Sequence, residues 1–390
     1  MKDAKISLIA LSEKEKLGVL RIIKSENIGI ATFYRLWLLY SSVDEIIDAL
    51  PDLARKGGKK SSIKVCEISA AEQELELTHK AGGRMVFFSD PEYPAHLKNI
   101  YDPPPVLIVK GNLETLNQKK IALVGARDAS LNGAKFAFKI AQDLSERGII
   151  IVSGLARGID TAAHKGACAK GTLAIIAGGI DSVYPPENKK LYEEIIDKGA
   201  ILTEYHYGIK PIAHNFPRRN RIISGISAGT VVIEATLNSG SLITANLALE
   251  QGRDVFAVPG FPLDPRSRGP NSLIKDGAYL VESIDDILNV VDFLKTSKYS
   301  ICKENSDEYD NEISMNNFRH LTDDEVKGYH EQVLTLLTYE PIILEELLAA
   351  NNNFDYRYIM LALLELEIAG KIQRYSGNRI SLKLEGDYKL

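Results

Sequence analysis

The sequence predicts an α/β fold: a doubly wound parallel sheet, with a small helical domain before it and a winged helix after it. Three observations carry that expectation. The runs Ile121-Ala122-Leu123-Val124-Gly125-Ala126-Arg127 and Ile149-Ile150-Ile151-Val152-Ser153-Gly154 are short, β-branched and uniformly apolar, with a helical interval between them. That is the pattern of a strand-helix-strand unit buried on both faces. Strand-like and helix-like stretches then alternate to about residue 291, as in a doubly wound sheet. Towards both ends of the chain, apolar residues recur mainly at helical spacing.

At 390 residues the chain is long enough for two or three domains. With 45% hydrophobic and 25% charged residues it has the composition of a soluble globular protein. No apolar run approaches the roughly 18 residues of a membrane span, and no cleavage-like leader opens the sequence, so a cytoplasmic location is expected. Cys66, Cys168 and Cys302 are far apart and odd in number, which argues against a disulfide framework and a thiolate zinc site. The net charge of −5 supplies no global positive field, so any polyanion must be held by a local site.

Residues 1–82 form the expected helical domain. Helical periodicity from about residue 17 to residue 50 is broken at Asn27-Ile28-Gly29-Ile30-Ala31, a small-residue turn similar to a helix-hairpin-helix, whose turn amides can touch a DNA backbone. A helical module without a ligand is the plainer reading. The basic run over residues 55–64 contains no acid and reads as a solvated loop. Residues 67–81 read as an amphipathic helix, and residues 83–295 as the sheet domain, opening with a strand at 84–89. Tyr93-Pro94 and Asp102-Pro103-Pro104-Pro105 keep the next stretch extended, because proline excludes helix at itself and disfavours it before. Strands follow at 106–110, 172–176, 200–202, 230–233 and 254–258, with helices at 189–198 and 241–251. An acidic flexible linker is expected over 296–325. In residues 326–390, three helices and a hairpin around Ser376-Gly377-Asn378 make a winged helix. Its seven Lys/Arg against nine Asp/Glu favour a protein contact at least as well as DNA.

Ligands of open parallel sheets lie outside the carboxyl ends of the strands. Gly125 to Arg127 and Ser153 to Gly158 end two such strands, and their amides beside Arg127 suit a phosphate. Arg218, Arg219 and Arg221 then fall within four positions, with Asn220 among them and Phe216 ahead. Guanidinium forks grip phosphate and a neighbouring ring can stack on a base. The competing reading pairs these arginines with Glu204 or Glu234. Ser239-Gly240-Ser241 is expected at the same sheet edge, and the convergence of several phosphate-compatible loops favours a ligand site.

Other chemistries are poorly supported. Gly125-Ala126-Arg127-Asp128 is not a G-x-G-x-x-G turn, and no phosphate-loop ATPase motif occurs. Ser153 and Ser224 lack the G-x-S-x-G context of a nucleophile. His164, one turn after Asp160, reads as a hydrogen-bonded structural group rather than a base. No catalytic residue, metal or cofactor is expected.

Taken in order, several blocks resemble the signatures of the DprA/Smf DNA-processing family over about residues 91–278. They are Val124-Gly125-Ala126-Arg127, Ser153-Gly154-Leu155-Ala156-Arg157-Gly158-Ile159-Asp160, Tyr184-Pro185-Pro186-Glu187-Asn188, Phe216-Pro217-Arg218-Arg219-Asn220-Arg221, Glu234-Ala235 with Ser239-Gly240-Ser241, and Val258-Pro259-Gly260. The tail, in Leu364-Glu365-Leu366-Glu367-Ile368-Ala369-Gly370, is similar to the winged-helix appendage of that family. The resemblance implies an extended Rossmann-like domain that binds single-stranded DNA and pairs into a homodimer. It further implies a protein that protects incoming strands in natural transformation and helps to load the recombinase RecA, with no membrane partner.

Residue by residue, the resemblance implies that Gly125, Arg127, Ser153, Gly154 and Gly158 hold phosphates, and that Phe216, Arg218, Arg219, Asn220 and Arg221 clamp adjacent nucleotides. Lys189, Lys190 and Ser239-Gly240-Ser241 would add contacts. Ala126 stands where the family commonly has a hydroxyl residue, so one donor is missing. The architecture is also similar to that of lysine-decarboxylase-like phosphoribohydrolases, with Glu234 and Arg221 as the reacting pair. The P-G-G-x-G-T loop of those enzymes is absent, which makes hydrolysis the weaker reading.

Overall fold

The computed structural model describes residues 11–61, 63–291, 293, 323–349, 355–375 and 378–383. Most of the expected linker, Cys302 and the Ser376-Gly377 turn lie outside these residues. Of the described residues, 73–293 form one compact unit and 11–72 with 323–383 the other.

The second unit starts with three helices, α1 (Glu13–Lys24), α2 (Ile30–Leu39) and α3 (Val43–Lys56). Ser12 caps α1 in a reciprocal capping box with Glu15, which satisfies amides that the first turn leaves orphaned. The helix α4 (Ile68–Lys80) is shared between the units. In the sheet unit follow β1 (Arg84–Phe87), α5 (Ala95–Lys98), β2 (Val106–Gly111), β3 (Lys120–Val124), α6 (Leu131–Glu146), β4 (Ile150–Ser153), α7 (Ile159–Ala167) and β5 (Thr172–Ile175). After these come α8 (Lys189–Lys198), β6 (Ala200–Thr203), α9 (Asn215–Ile226), β7 (Gly229–Val232), α10 (Gly240–Glu250), β8 (Asp254–Ala257), α11 (Arg268–Lys275), β9 (Tyr279–Leu280) and α12 (Ile284–Leu288).

The strands make one sheet in the order β1-β2-β6-β5-β4-β3-β7-β8-β9. From β6 to β9 every neighbouring pair is parallel, while β2 runs antiparallel to both β6 and β1. Burial on both faces explains why the strands read as continuous apolar runs. Ala122, Val124 and Val152 pack with Ile222, Ile223 and Ile226 of α9 and Ala245 and Ala248 of α10. Ile121, Leu123 and Ile151 face Ile140 and Leu144 of α6 and Ala163 of α7. The order of the strands reverses between β3 and β7, so the crevice of a doubly wound sheet opens there, at the carboxyl ends of the strands.

In the second unit the carboxyl part adds α13 (Asp323–Leu336), β10 (Ile342–Ile343), α14 (Leu344–Ala349), α15 (Tyr356–Ile368), β11 (Ile372–Tyr375) and β12 (Arg379–Leu382). Residues 323–325, expected as the end of a linker, thus begin a helix. The strands form an antiparallel sheet in the order β10-β12-β11. Val333, Leu344, Leu347, Leu363, Leu366 and Ile380 form its core.

This carboxyl part packs on α1–α3. Asn27, in a left-handed conformation (φ 60°), donates from Nδ2 to the Ile368 carbonyl at 3.2 Å, and Gly57 lies where any Cβ would strike the Glu365 carbonyl. The basic run is more structured than expected, because Lys59 pairs with Glu26 at 2.6 Å and Arg55 with Asp52 at 2.9 Å.

Candidate nucleic-acid interface

Two loops, after β3 and after β4, are docked on each other. Gly158 has φ 73°, and a Cβ there would run into the Ala126 and Arg127 carbonyls. Only glycine adopts that conformation at no steric cost. Ile159 N–H donates to the Ala126 carbonyl at 3.1 Å, and a Cβ on Gly125 would come within 2.6 Å of Ile159 Cγ1. Gly125 and Gly158 therefore serve close packing of the loops.

The amides expected to meet a phosphate are already engaged. Asp160 Oδ2 accepts from Gly154 N–H at 3.1 Å and Ala156 N–H at 3.3 Å, filling the concavity with the chain's own carboxylate. Burial raises the Asp160 pKa, while Arg219 beside it and the two amides pull it down. Ser153 is fully buried, and its hydroxyl donates to the Leu123 carbonyl at 2.6 Å. Ser153 is thus part of the frame, a correction to its expected role as a phosphate contact, while Gly154 has its amide engaged and still lines the cup described below.

The arginine run divides by what each side chain meets. Phe216 to Arg221 lie in the first two turns of α9, where consecutive residues step by about 100°, so the neighbours Arg218 and Arg219 point different ways. Arg219 is 4% exposed and turns inward, with Nη1 donating to the Gly154 carbonyl at 2.7 Å and to the Ile175 carbonyl. Burial, opposed by Asp160, pushes its pKa down to about 10. Arg221, 5% exposed, pairs with Glu204 and, through Nε, with Asp102 at 3.2 Å. The expectation that both clamp nucleotides is corrected: Arg219 is spent on two buried carbonyls, and Arg221 on buried carboxylates that its removal would leave uncompensated.

Arg218 is exposed on the same helix. Asn220 Nδ2 donates to the Gly240 carbonyl at 3.2 Å, and Ser239 caps α10, its hydroxyl 2.7 Å from that of Ser241. This turn lies on the far side of β3, where the Ser239 and Ser241 hydroxyls bond each other and the Gly240 carbonyl is taken by Asn220. Lys189 and Lys190 are exposed in the first turn of α8.

A cup remains at the carboxyl ends of β3 and β4, lined by Arg127, Gly154, Ala156, Arg157, Tyr184, Pro185 and Phe216. The Arg127 guanidinium lies 5.3 Å from the Phe216 ring centroid, within cation–π range. The Tyr184 and Phe216 centroids are 5.5 Å apart at 58°, and Tyr184 is 42% exposed. Arg127 and Arg157 are exposed and, among the described residues, neither enters an ion pair. Arg157 and Tyr184 were not singled out by the sequence reading. Their signal was position within the quoted blocks, and only the fold brings the blocks together.

The crevice between β3 and β7 is closed from within. Glu234 accepts from Ser130 N–H at 2.8 Å and Ser130 Oγ at 2.5 Å, and its carboxyl fills the space beside Gly133. His164 is fully buried, with Nδ1 2.9 Å from Thr172 Oγ1, the structural role expected of it. Among the described residues no group of His, Cys, Asp and Glu is arranged to hold a metal ion, and no helix is long and apolar enough to cross a membrane.

The family model described as DNA recombination-mediator protein A matches residues 84–292, more than half of the chain. The chain belongs to the DNA recombination-mediator protein A family. A model described as the DprA-like N-terminal HHH domain matches residues 13–76, the span of α1–α3 and most of α4. Among members, DNA processing protein DprA of Streptococcus pneumoniae is 49% identical over 203 residues, covering 52% of this chain and 72% of the relative. Protein Smf of Escherichia coli is 44% identical over 204 residues, or 52% of this chain, which spans only about half (54%) of that relative. The X-ray structure of DNA processing protein A (DprA) from Streptococcus pneumoniae superposes with a TM-score of 0.59 at 36% identity, covering 73% of this chain and 99% of that one.

Proposed function

We propose that this chain is a single-stranded DNA-binding recombination mediator, holding the strand at the carboxyl edge of its sheet without catalysing a reaction. The observation that carries the reading is the cup, where two exposed guanidinium groups, in no ion pair among the described residues, stand beside two aromatic rings. Guanidinium groups attract backbone phosphates, and rings take unstacked bases whatever their identity. Duplex DNA keeps its bases stacked inside, so the rings favour a single strand. Glu234, Arg221 and His164, the groups that chemistry would call on, are held in internal contacts, which supports binding over hydrolysis.

The family description supports a place in recombination, and the finer parts of the reading rest on the resemblance. These are protection of strands in transformation, help in loading RecA, pairing of two copies through the sheet domain and action in the cytoplasm. The three carboxyl-terminal helices and three-stranded sheet are read as a winged helix that serves a protein contact or a regulatory role at least as well as DNA.

Fluorescence anisotropy of a poly-dT strand and a duplex of equal length, with wild type and Phe216→Ala, tests the proposal. The expected result is a preference for the single strand and a loss on substitution of about 1–3 kcal/mol, roughly five- to 150-fold in Kd. Equal affinity for both DNAs, or an unchanged Kd in the variant, would overturn it.

A further inference from the structure

The loop after β4 is fixed from three sides. Below it, the Asp160 carboxylate accepts from the amides of Gly154 and Ala156. From α9, Arg219 donates to the Gly154 carbonyl. From the start of α8, Asn188 Nδ2 donates to the Leu155 carbonyl at 2.9 Å, the Ala156 carbonyl at 3.4 Å and Thr161 Oγ1 at 2.8 Å. These bonds hold Leu155 in a left-handed conformation (φ 56°) that a bulky side chain rarely adopts, so the surroundings must over-determine it. The next residue but one is Arg157, exposed at the cup without an ion pair among the described residues.

Asp160 is an anion under an anion-binding site, an arrangement that needs a reason. Arg219 lies beside it, a buried cation that offsets its charge. Were the carboxylate there only to neutralise Arg219, it would not need to accept both loop amides. We propose that Asp160 is a positioning residue for strand binding, its carboxylate filling the loop's amide concavity and thereby presenting Arg157 to a backbone phosphate. Asn188 secures the carbonyl side of the same loop. The inference rests on the single-strand reading above and deepens it: the backbone concavity is occupied, so phosphate contacts come from side chains that track a polymer rather than from a nest shaped for one terminal phosphate.

The test is the salt dependence of poly-dT affinity for the full chain carrying Asp160→Ala, Asn188→Ala, Arg157→Ala and the pairwise combinations with Arg157→Ala. Losing one phosphate contact should flatten the log–log slope by about 0.7. Each single variant is expected to show that change, and Asp160→Ala or Asn188→Ala should add nothing in the Arg157→Ala background. A folded Asp160→Ala with the wild-type slope, or losses that add to those of Arg157→Ala, would overturn the proposal. Should circular dichroism find Asp160→Ala unfolded, Asn188→Ala, which removes no charge, decides by the same criterion. Wild type that binds no strand would instead sink the single-strand reading and this inference with it.

Discussion

At the scale of the residue, His164 carries a pH dependence whose sign follows from its bonds. Thr172 Oγ1 gives its one proton to the Ile151 carbonyl at 2.6 Å, so at His164 it can only accept, and Nδ1 must carry the hydrogen. Among the described residues Nε2 has no hydrogen-bond partner. Burial and then the Arg219 charge hold the imidazole pKa down to about 3, against a smaller pull from the Ser153 backbone. A folded-state pKa below the unfolded value gives stability that is present above the unfolded pKa and lost as pH falls towards the folded one. As pH falls below about 6.5 towards about 3, this group should therefore cost progressively more stability. Urea unfolding of wild type and His164→Asn at pH 7 and pH 5 checks it: the stability difference between the two proteins should shrink on acidification, and a constant difference would refute the assignment. That His164 is structural was legible from its lone position on a helix. For Arg221 the competing reading, a pair with Glu204, is the one the structure shows, whereas the burial of Arg219 against the Gly154 and Ile175 carbonyls was not legible, because a run of arginines looks the same whatever its partners.

At the scale of the element, the amino end of α6 is fixed by a two-part cap. Ser130 Oγ accepts from Gly133 N–H at 2.9 Å and donates to Glu234, so one hydroxyl both caps the helix and ties it to the segment after β7. Ser130→Ala should cost about 1–2 kcal/mol, the loss of an N-cap; a denaturation midpoint equal to that of wild type would contradict this. The strands were legible because β-branched runs buried on both faces leave a signal that polar loops interrupt. The face of α9 was not. Its arginines fall in the first two turns, where the polar side chains mask the 3.6-residue period that assigns Arg218 outward and Arg219 inward.

At the scale of the whole molecule, alternation in the sequence predicts a doubly wound sheet but not the order of its strands. The antiparallel edge is joined through β2 and β6, whose pairing connects Ile108 with Thr203 and has no local signature. The union of the amino-terminal helices with the carboxyl-terminal module was likewise hidden, since the bond from Asn27 to Ile368 links residues 341 positions apart. The cup is assembled in the same way, from four blocks that were each legible and whose convergence was not. Its central claim is that exposed guanidinium groups at the sheet edge hold the backbone of a single strand. The most direct measurement is the slope of log affinity against log salt for poly-dT with wild type and Arg127→Ala. A flattening of the slope by about 0.7 in the variant, with weaker binding at every salt concentration, is the result this account predicts. A variant with the wild-type slope and affinity would place the phosphates elsewhere and contradict it.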